Sequence, residues 1–528
     1  MRRAPESPDL VEPWHFVHPH SAALGLQADP PDVVVAHDFS APVYSALRLR
    51  QAGLAFADTL FVVFCHGTRR YILDLAPKVG LKDLRQLLSV SALEQAAVEL
   101  ADAVVSPSAY LVEWMREQGW QLPEQTHVIP YFTRSSVTGE APAARANGES
   151  RVERLAFFGR IDEKKGLKLF AAALNSLEPE LLDGVELEFL GKTTGTWTRE
   201  RAEALLSKRT RKAVRRISFE TALGQQDALA RLLRPGTLAV MPTLRDNSPN
   251  TVYECLEHCI PFIASDVGGI PELVAEEDRA LALFEPTEAG VEAALRRVLS
   301  DVVRPVRASF TSSTPYERWA DVLALQAPVQ PAAEAPAVDI VVPRASRAAT
   351  ALERQSYENL RVISRLDEGS APFVVVLDAD DMPEPELLET LVHAQRAAGA
   401  DAVTCGLRTD STVRFFLGDP GGLGALSNEY GTVGLVRREL VANDDRPWAP
   451  EEDADWPRLA RLAAAGARIV SVPAPLVRRS MLPGSVERTP ADALLALQAL
   501  EHALPVPLQG AARLAAGLAA DAPLPGSR

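Results

Sequence analysis

Three short segments of the 528-residue chain gather the residue types that phosphate and sugar chemistry needs. In the first, FFGRIDEKKG (157–166), an apolar strand runs into Gly159-Arg160, and Lys165-Gly166 follows just ahead of a helical pattern. Two cations beside a helix N-terminus suit a diphosphate, because charge-assisted bonds and open backbone N–H groups converge there. In the second, MPTLRDNSPNTVYE (241–254), a strand ends at Met241 and a polar turn leads to a helix opening near Pro249-Asn250. The unpaired N–H groups of that first turn, around Asn250 and Thr251, can receive a phosphate. Asp246 and Glu254 frame the turn. One carboxylate can accept from sugar hydroxyls and the other from a ribose diol. The third segment, IASDVGGIPE (263–272), carries Gly268-Gly269, which permits a tight turn and close backbone approach. Each has an ordinary reading too: solvated loop charges, an N-cap Asp, a surface helical Glu, a commonplace Gly pair. On spacing alone, that ordinary reading prevails for Asp246 and Glu254.

Strands must carry these turns. Short apolar runs alternate with amphipathic helical patterns through residues 30–300, as in parallel α/β layers. The expected strands are 32–36, 59–65, 103–106, 155–158, 185–190, 238–241 and 261–264. Ligands of open α/β sheets bind at strand carboxyl ends. That directs attention to His37-Asp38, His66-Gly67, Gly159-Arg160, Gly191 and the 242–250 turn. Ser/Gly/Ala/Pro-rich 133–151 and Pro/Ala-rich 327–337 read as linkers, cutting the chain near 140 and 332.

As an ordered set the three segments resemble the donor half of the GT-B glycosyltransferases, in the retaining group called family 4. The motifs are Gly159-Arg160-x4-Lys165-Gly166, Asp246-x7-Glu254 and Gly268-Gly269-x-Pro271-Glu272, where the first carboxylate is Asp rather than the family's Glu. The resemblance spans about residues 30–325. It implies that Arg160 and Lys165, with Gly159 between strand and loop, hold a donor diphosphate. It further implies Asp246 on the donor sugar, Glu254 on the ribose, and the backbone around Asn250-Thr251 as a phosphate cradle. Val33–Asp38 and Phe64–Gly67 resemble first-domain segments, which implies His66 at the reaction centre. His37 is a weaker candidate, and His15, His18 and His20 read as loop residues. The final helix, over 310–322, is expected to pack back onto the first domain. Only about 35 residues precede His37, and no Gly-rich loop is among them. The first domain is therefore expected to be truncated, or to begin upstream.

The last third has a different texture. Val338–Pro343 reads as a strand, and Phe373–Asp381 as a buried strand ending in Asp378-Ala379-Asp380-Asp381. Asp-x-Asp at a strand end can bind Mg²⁺ or Mn²⁺. This stretch resembles the GT-A glycosyltransferases of family 2, which implies Asp378 and Asp380 at a metal and Asp453 as a general base. The jump from Pro343 to Phe373 omits the strand pair that family carries, so a degenerate domain is expected.

Composition bounds the rest. Asp and Glu number 70 against 55 Lys and Arg, a net charge of -15, which argues against a general nucleic-acid binder. The four cysteines form no CxxC pair, so no zinc site or disulfide framework is expected. No apolar run reaches membrane-spanning length, and a cytoplasmic protein is expected. The Arg-rich, Ala/Pro-rich texture suits a GC-rich bacterial genome. Gly191-Lys192-Thr193 lacks the first glycine of a P-loop, and no GxGxxG follows a strand.

The expected protein is thus α/β: a GT-B pair of Rossmann-like domains (1–140 and 150–325), a smaller GT-A-like domain (337–490) and a tail (491–528). The expected activity is retaining transfer of a hexosyl unit from a UDP- or GDP-linked donor to a glycan, lipid-linked or small-molecule acceptor. The GT-B part is expected to need no cofactor. Two alternatives stand beside it: a non-catalytic sugar-nucleotide binder or scaffold, and a GT-B-fold epimerase or phosphorylase.

Overall fold

A computed structural model describes residues 10–74, 81–133, 150–327, 335–410, 412–418, 424, 428–442 and 455–479. The chain divides into two compact units: 1–63 with 68–102 and 326–528, and 64–67 with 103–325. The stretch expected to form one N-terminal domain, 1–140, is therefore shared between both. The expected tail and most of the two linkers lie outside the described residues, as does Asp453.

The second unit is built on a six-stranded parallel sheet. Its order is Leu283–Phe284, Phe262–Ser265, Thr237–Met241, Arg154–Phe158, Glu186–Leu190, Arg216–Glu220. The strands read as apolar runs because helices cover both faces. On one face, Phe157, Phe170 and Phe189 form a buried cluster, with Phe219 stacked on Phe189 at 4.4 Å. On the other, Ala239, Met241, Val252, Tyr253 and Ile260 pack together. From Arg154–Phe158 the chain steps outward through Glu186–Leu190 and Arg216–Glu220. It then returns to Thr237–Met241 and steps the other way. The order reverses between the two central strands, and a crevice must open beyond their carboxyl ends. Also in this unit, Ala103–Ser106 pairs in parallel with Gln125–Val128. The final helix is Thr314–Leu323; its Arg318 donates to the Val128 carbonyl at 2.8 Å, and Trp319 meets Phe64 edge-on at 5.3 Å.

The first unit holds a mixed sheet. Val338–Val341 lies between parallel neighbours Leu360–Ile363 and Phe373–Val376, followed by antiparallel Gly434–Arg437 and Ala402–Arg408. Leu360–Ile363 is a strand within the stretch between Pro343 and Phe373, where the sequence predicts none. The strand Leu10–Glu12 pairs in parallel with Thr412–Arg414, so the start of the described chain completes the sheet of its last third. His15 sits in a short 3-10 turn, and His18 and His20 in the helix Val17–Gln27, rather than in a loop.

Candidate functional site

All seven strands expected in the first 300 residues are present within a residue or two of their expected ends. The two central strands of the parallel sheet deliver the first two glycine- and charge-bearing segments to one place. Beyond Phe158 the chain turns at Gly159, and Lys165-Gly166 leads into the helix Leu167–Ser176. Gly166 is left-handed (φ 76°), and a Cβ there would stand 1.7 Å from the Pro242 carbonyl oxygen. Only glycine lets the first loop lie against the second so closely. Leu244 N–H and the Thr243 hydroxyl both bond to the Lys164 carbonyl, at 3.0 and 3.2 Å. The third motif closes on the same turn. Gly268 (φ 59°) has no room for a Cβ beside the Asp246 carbonyl, and Gly269 N–H donates to that carbonyl at 3.2 Å.

The result is a cleft of about 670 Å³ lined by His66, Tyr131, Gly159, Arg160, Lys165 and the turn 246–251. Arg160 is 57 % exposed and lies 3.5 Å from Asp162. Lys165 is 23 % and Asp246 20 % exposed, and the Lys165 ammonium is ion-paired with the Asp246 carboxylate. The sequence predicts separate partners for these two; in the fold each is the other's. Asn250 and Thr251 open the helix Asn250–Glu257, and its N-cap, Pro249, provides no side-chain cap. A smaller lobe of about 260 Å³ shares Gly159, Arg160, Asn250 and Thr251 with the first cleft and continues to Glu220, Gln225 and Glu254. The Glu254 carboxylate accepts from the Gln225 side chain. Burial pushes its carboxyl above the usual range, with the Gln225 bond opposing the rise.

His66 stands at the cleft edge. Its Nδ1 is 2.9 Å from the Tyr131 hydroxyl, and the two rings stack at 5.5 Å. Tyr131 N–H donates to the Tyr253 hydroxyl at 3.1 Å, and that hydroxyl meets Ser248 Oγ at 2.9 Å. The His66 carbonyl accepts from the Asn247 amide at 3.1 Å. Asn247 Oδ1 in turn accepts from the Ser108 hydroxyl, which also caps the helix Ala109–Glu117 through Leu111 N–H. Glu272 adds a second cap, accepting from Ala109 and Tyr110 N–H at 2.6 and 2.8 Å. A carboxylate over two open N–H groups matches the positive end of the helix.

Tyr131, Asn247, Ser248, Ser108 and Gln225 join the site beyond the residues that the sequence predicts. Ser108 carries a legible signal, a Ser just ahead of an amphipathic run. The others show none, because their partners lie far away in the chain.

The remaining candidates lie in the first unit. His37 ends the strand Val33–His37 and lines a separate hollow with Trp14, His15 and His18. Beyond Phe373–Val376, Asp380 is exposed, whereas Asp378 and Asp381 both face Arg479. Arg479 Nη2 is 3.3 Å from Asp378 Oδ2 and its Nε is 2.8 Å from Asp381 Oδ1; Asp381 is 1 % exposed. Asp381 Oδ2 also accepts from Asp378 N–H at 2.9 Å. A guanidinium thus stands where a cation would need the carboxylates. Among the described residues no group of three or more His, Cys, Asp or Glu could hold a metal ion. Among the described residues, those around Asp378 and Asp380 do not fit the divalent metal that the sequence predicts for them. No described helix is long and apolar enough to cross a membrane.

Residues 152–301 match the family model of glycosyl transferases group 1, and residues 2–131 match that of the glycosyl transferase 4-like domain. Neither match extends into the last third of the chain. Among curated proteins, glycogen synthase of Mycobacterium tuberculosis is 26 % identical over 281 residues, which is 51 % of this chain. The match spans 61 % of the length of that relative. Among solved structures, sucrose-phosphate synthase from Thermosynechococcus elongatus is 19 % identical, with 55 % of this chain and 70 % of that one covered and a TM-score of 0.38. The catalytic domain of starch synthase IV from Arabidopsis thaliana is 15 % identical, with coverage of 59 % and 73 % and a TM-score of 0.39. Residues 2–131 are thus similar to a glycosyl transferase 4-like domain and residues 152–301 to a glycosyl transferases group 1 domain.

Proposed function

We propose that the protein transfers a hexosyl unit from a nucleotide-sugar donor, with retention of anomeric configuration, in the synthesis of a glycan or glycoconjugate. The observation that carries this reading is the two-lobed cleft beyond the central parallel strands, with Arg160, Lys165 and an uncapped helix start around its waist. A diphosphate at the waist meets two cations and the helix N–H groups, which stabilise the charge that builds as the leaving group departs. The nucleoside then lies in the smaller lobe, with Glu254 accepting from the ribose diol. The sugar lies toward Asp246, Asn247 and His66.

The Lys165–Asp246 pair gives this arrangement a sequence of events. With no donor, the ammonium and carboxylate neutralise each other. An entering diphosphate competes for Lys165 and frees Asp246 to accept from sugar hydroxyls. His66, braced by Tyr131, faces the sugar end, where an imidazole can bond a hydroxyl of the donor or acceptor. The cations and helix donors supply the positive field in this half, so transfer there proceeds without a divalent metal.

The last third, read as GT-A-like from its sequence, serves in this proposal as a non-catalytic part of the first unit. Two of its strand-end carboxylates, Asp378 and Asp381, are taken up by Arg479.

Calorimetry with UDP, ADP and GDP tests donor binding, and NMR of the product's anomeric proton tests retention. Turnover of UDP-, ADP- or GDP-glucose should survive EDTA. Nucleotide binding without turnover would favour a sugar-nucleotide-binding scaffold instead.

A further inference from the structure

In the first unit, a buried carboxylate has a task that the donor cleft does not explain. Glu94 lies on the helix Leu81–Leu100, and its side chain is 0 % exposed. One carboxylate oxygen accepts from Ser40 N–H at 2.7 Å, and the other from Arg69 N–H at 2.6 Å. A single side chain thus holds two loops. The first runs 37–41, directly after the strand Val33–His37. The second runs 65–69, directly after Leu60–Phe64. The Arg69 guanidinium lies over the Phe39 ring at 4.8 Å, a second link between the same loops.

The first loop needs such support. Ser40 and Ala41 are left-handed, with φ of 63° and 44°, a conformation that non-glycine residues hold only when their surroundings impose it. Burial pushes the Glu94 carboxyl up to about 7, the Asp38 charge adds to the rise, and the Ser40 and Arg69 N–H groups and the Arg69 charge oppose it. A neutral side chain of the same size would avoid that desolvation. Only a carboxylate presents two acceptor oxygens to two N–H donors; the amide of Gln offers one acceptor and sets an N–H against the other donor.

We propose that Glu94 is a positioning residue, whose carboxylate clamps loops 37–41 and 65–69 in the register that sets His37 and His66 at their strand ends. The catalytic meaning of that register rests on the transferase reading above. The clamp itself does not.

Hydrogen exchange read by mass spectrometry on the full chain at about pH 8, where the Glu94 carboxyl is ionised, separates the two. In Glu94→Gln, amides in peptides covering 38–44 and 67–72 should exchange at least ~10-fold faster, with peptides covering 155–190 unchanged. Glu94→Asp keeps the charge but withdraws it by one methylene, and should fall between wild type and Glu94→Gln. With UDP-glucose as donor, kcat should drop about 10-fold in Glu94→Gln, with donor KM and UDP affinity unchanged. Unchanged exchange in both variants overturns the clamp. Loosened loops with unchanged kcat overturn the positioning role. A wild type that turns over no UDP-, ADP- or GDP-glucose overturns the transferase reading alone, and the exchange contrast still decides the clamp.

Discussion

At the carboxyl ends of Arg154–Phe158 and Thr237–Met241, Arg160, Lys165 and Asp246 border an open cleft. At the carboxyl end of Phe373–Val376, Asp378 and Asp381 are closed on Arg479. Both places offer charged side chains at the end of a parallel strand, where α/β proteins bind ligands. In the first, the sheet order reverses between the two strands, so their loops diverge and leave space. Glycines at 166 and 268 then let three loops pack side by side around that space. In the second, the strand Ile469–Arg479, antiparallel to Asp381–Pro383, brings a guanidinium to Asp378 and Asp381 and satisfies them within the fold. Charged groups at a strand end become a site when the surrounding loops leave them room and a ligand completes their bonding. A motif read without its neighbours cannot distinguish the two cases.

This contrast can be broken from either side. The largest effect is expected in the open cleft. Lys165→Ala and Arg160→Ala should each weaken UDP or GDP binding by roughly 10- to 100-fold, since a hydrogen bond to a charged group contributes about 1.5–3 kcal/mol. Calorimetry at constant salt reads this, and wild-type affinity in both variants would remove the cations from the donor site.

The closed cluster should answer in stability instead. Arg479→Met leaves Asp381 buried without its guanidinium, a loss expected at about 2–3 kcal/mol because the arginine is partly exposed. Asp380→Asn, at an exposed position, should change stability by less than about 0.5 kcal/mol. Urea denaturation compares them. Manganese binding that appears in Arg479→Met and is absent from wild type would show the guanidinium standing in for a cation.

A third comparison lies within the cleft. Glu254 is assigned to the ribose, away from the bond that breaks, so Glu254→Gln should raise donor KM with kcat nearly unchanged. Asp246 is assigned to the sugar being transferred, so Asp246→Asn should lower kcat, by about 10-fold or more. Asp246→Glu restores the longer carboxylate and should alter the relative rates of UDP- and GDP-linked hexoses. Matching defects in Glu254→Gln and Asp246→Asn, with no change of donor ranking, would show that the carboxylates share one role.

The last effect is spread over pH. The Glu94 carboxyl is raised from 4.5 to about 7 in the folded protein. Between those values the unfolded chain releases this proton while the folded chain keeps it. Stability should therefore decline as pH rises from 4.5 to 7, by up to about 3 kcal/mol from this group, and level off above. Glu94→Gln should flatten that decline. A difference curve between the two proteins isolates the group together with its coupling to Asp38.

Much of this was written in local sequence. The short apolar runs LAFF (155–158) and LAVM (238–241), each closed by a turn signal, read as strands covered on both faces, which need side chains of one kind. The Gly-Arg, Lys-Gly and Gly-Gly turns mark where those strands stop, because glycine alone tolerates the backbone that follows. These features determined the α/β class, the donor-half strands and the position of Arg160, Lys165, Asp246 and Glu254 near one sheet edge. Tertiary structure decided the rest. That Lys165 is paired with Asp246, that Asn247 ties His66 to Ser108, and that Glu272 caps a helix 160-odd residues earlier depends on chain segments remote in sequence. It also decided that Leu10–Glu12 joins the sheet of the last third, and that Arg479 takes Asp378, one of the two carboxylates expected to hold a metal, together with Asp381. Hydrogen bonds and ion pairs reach only about 3 Å, so their partners are chosen by which segments the fold brings together, and a spacing along the chain carries no record of that choice.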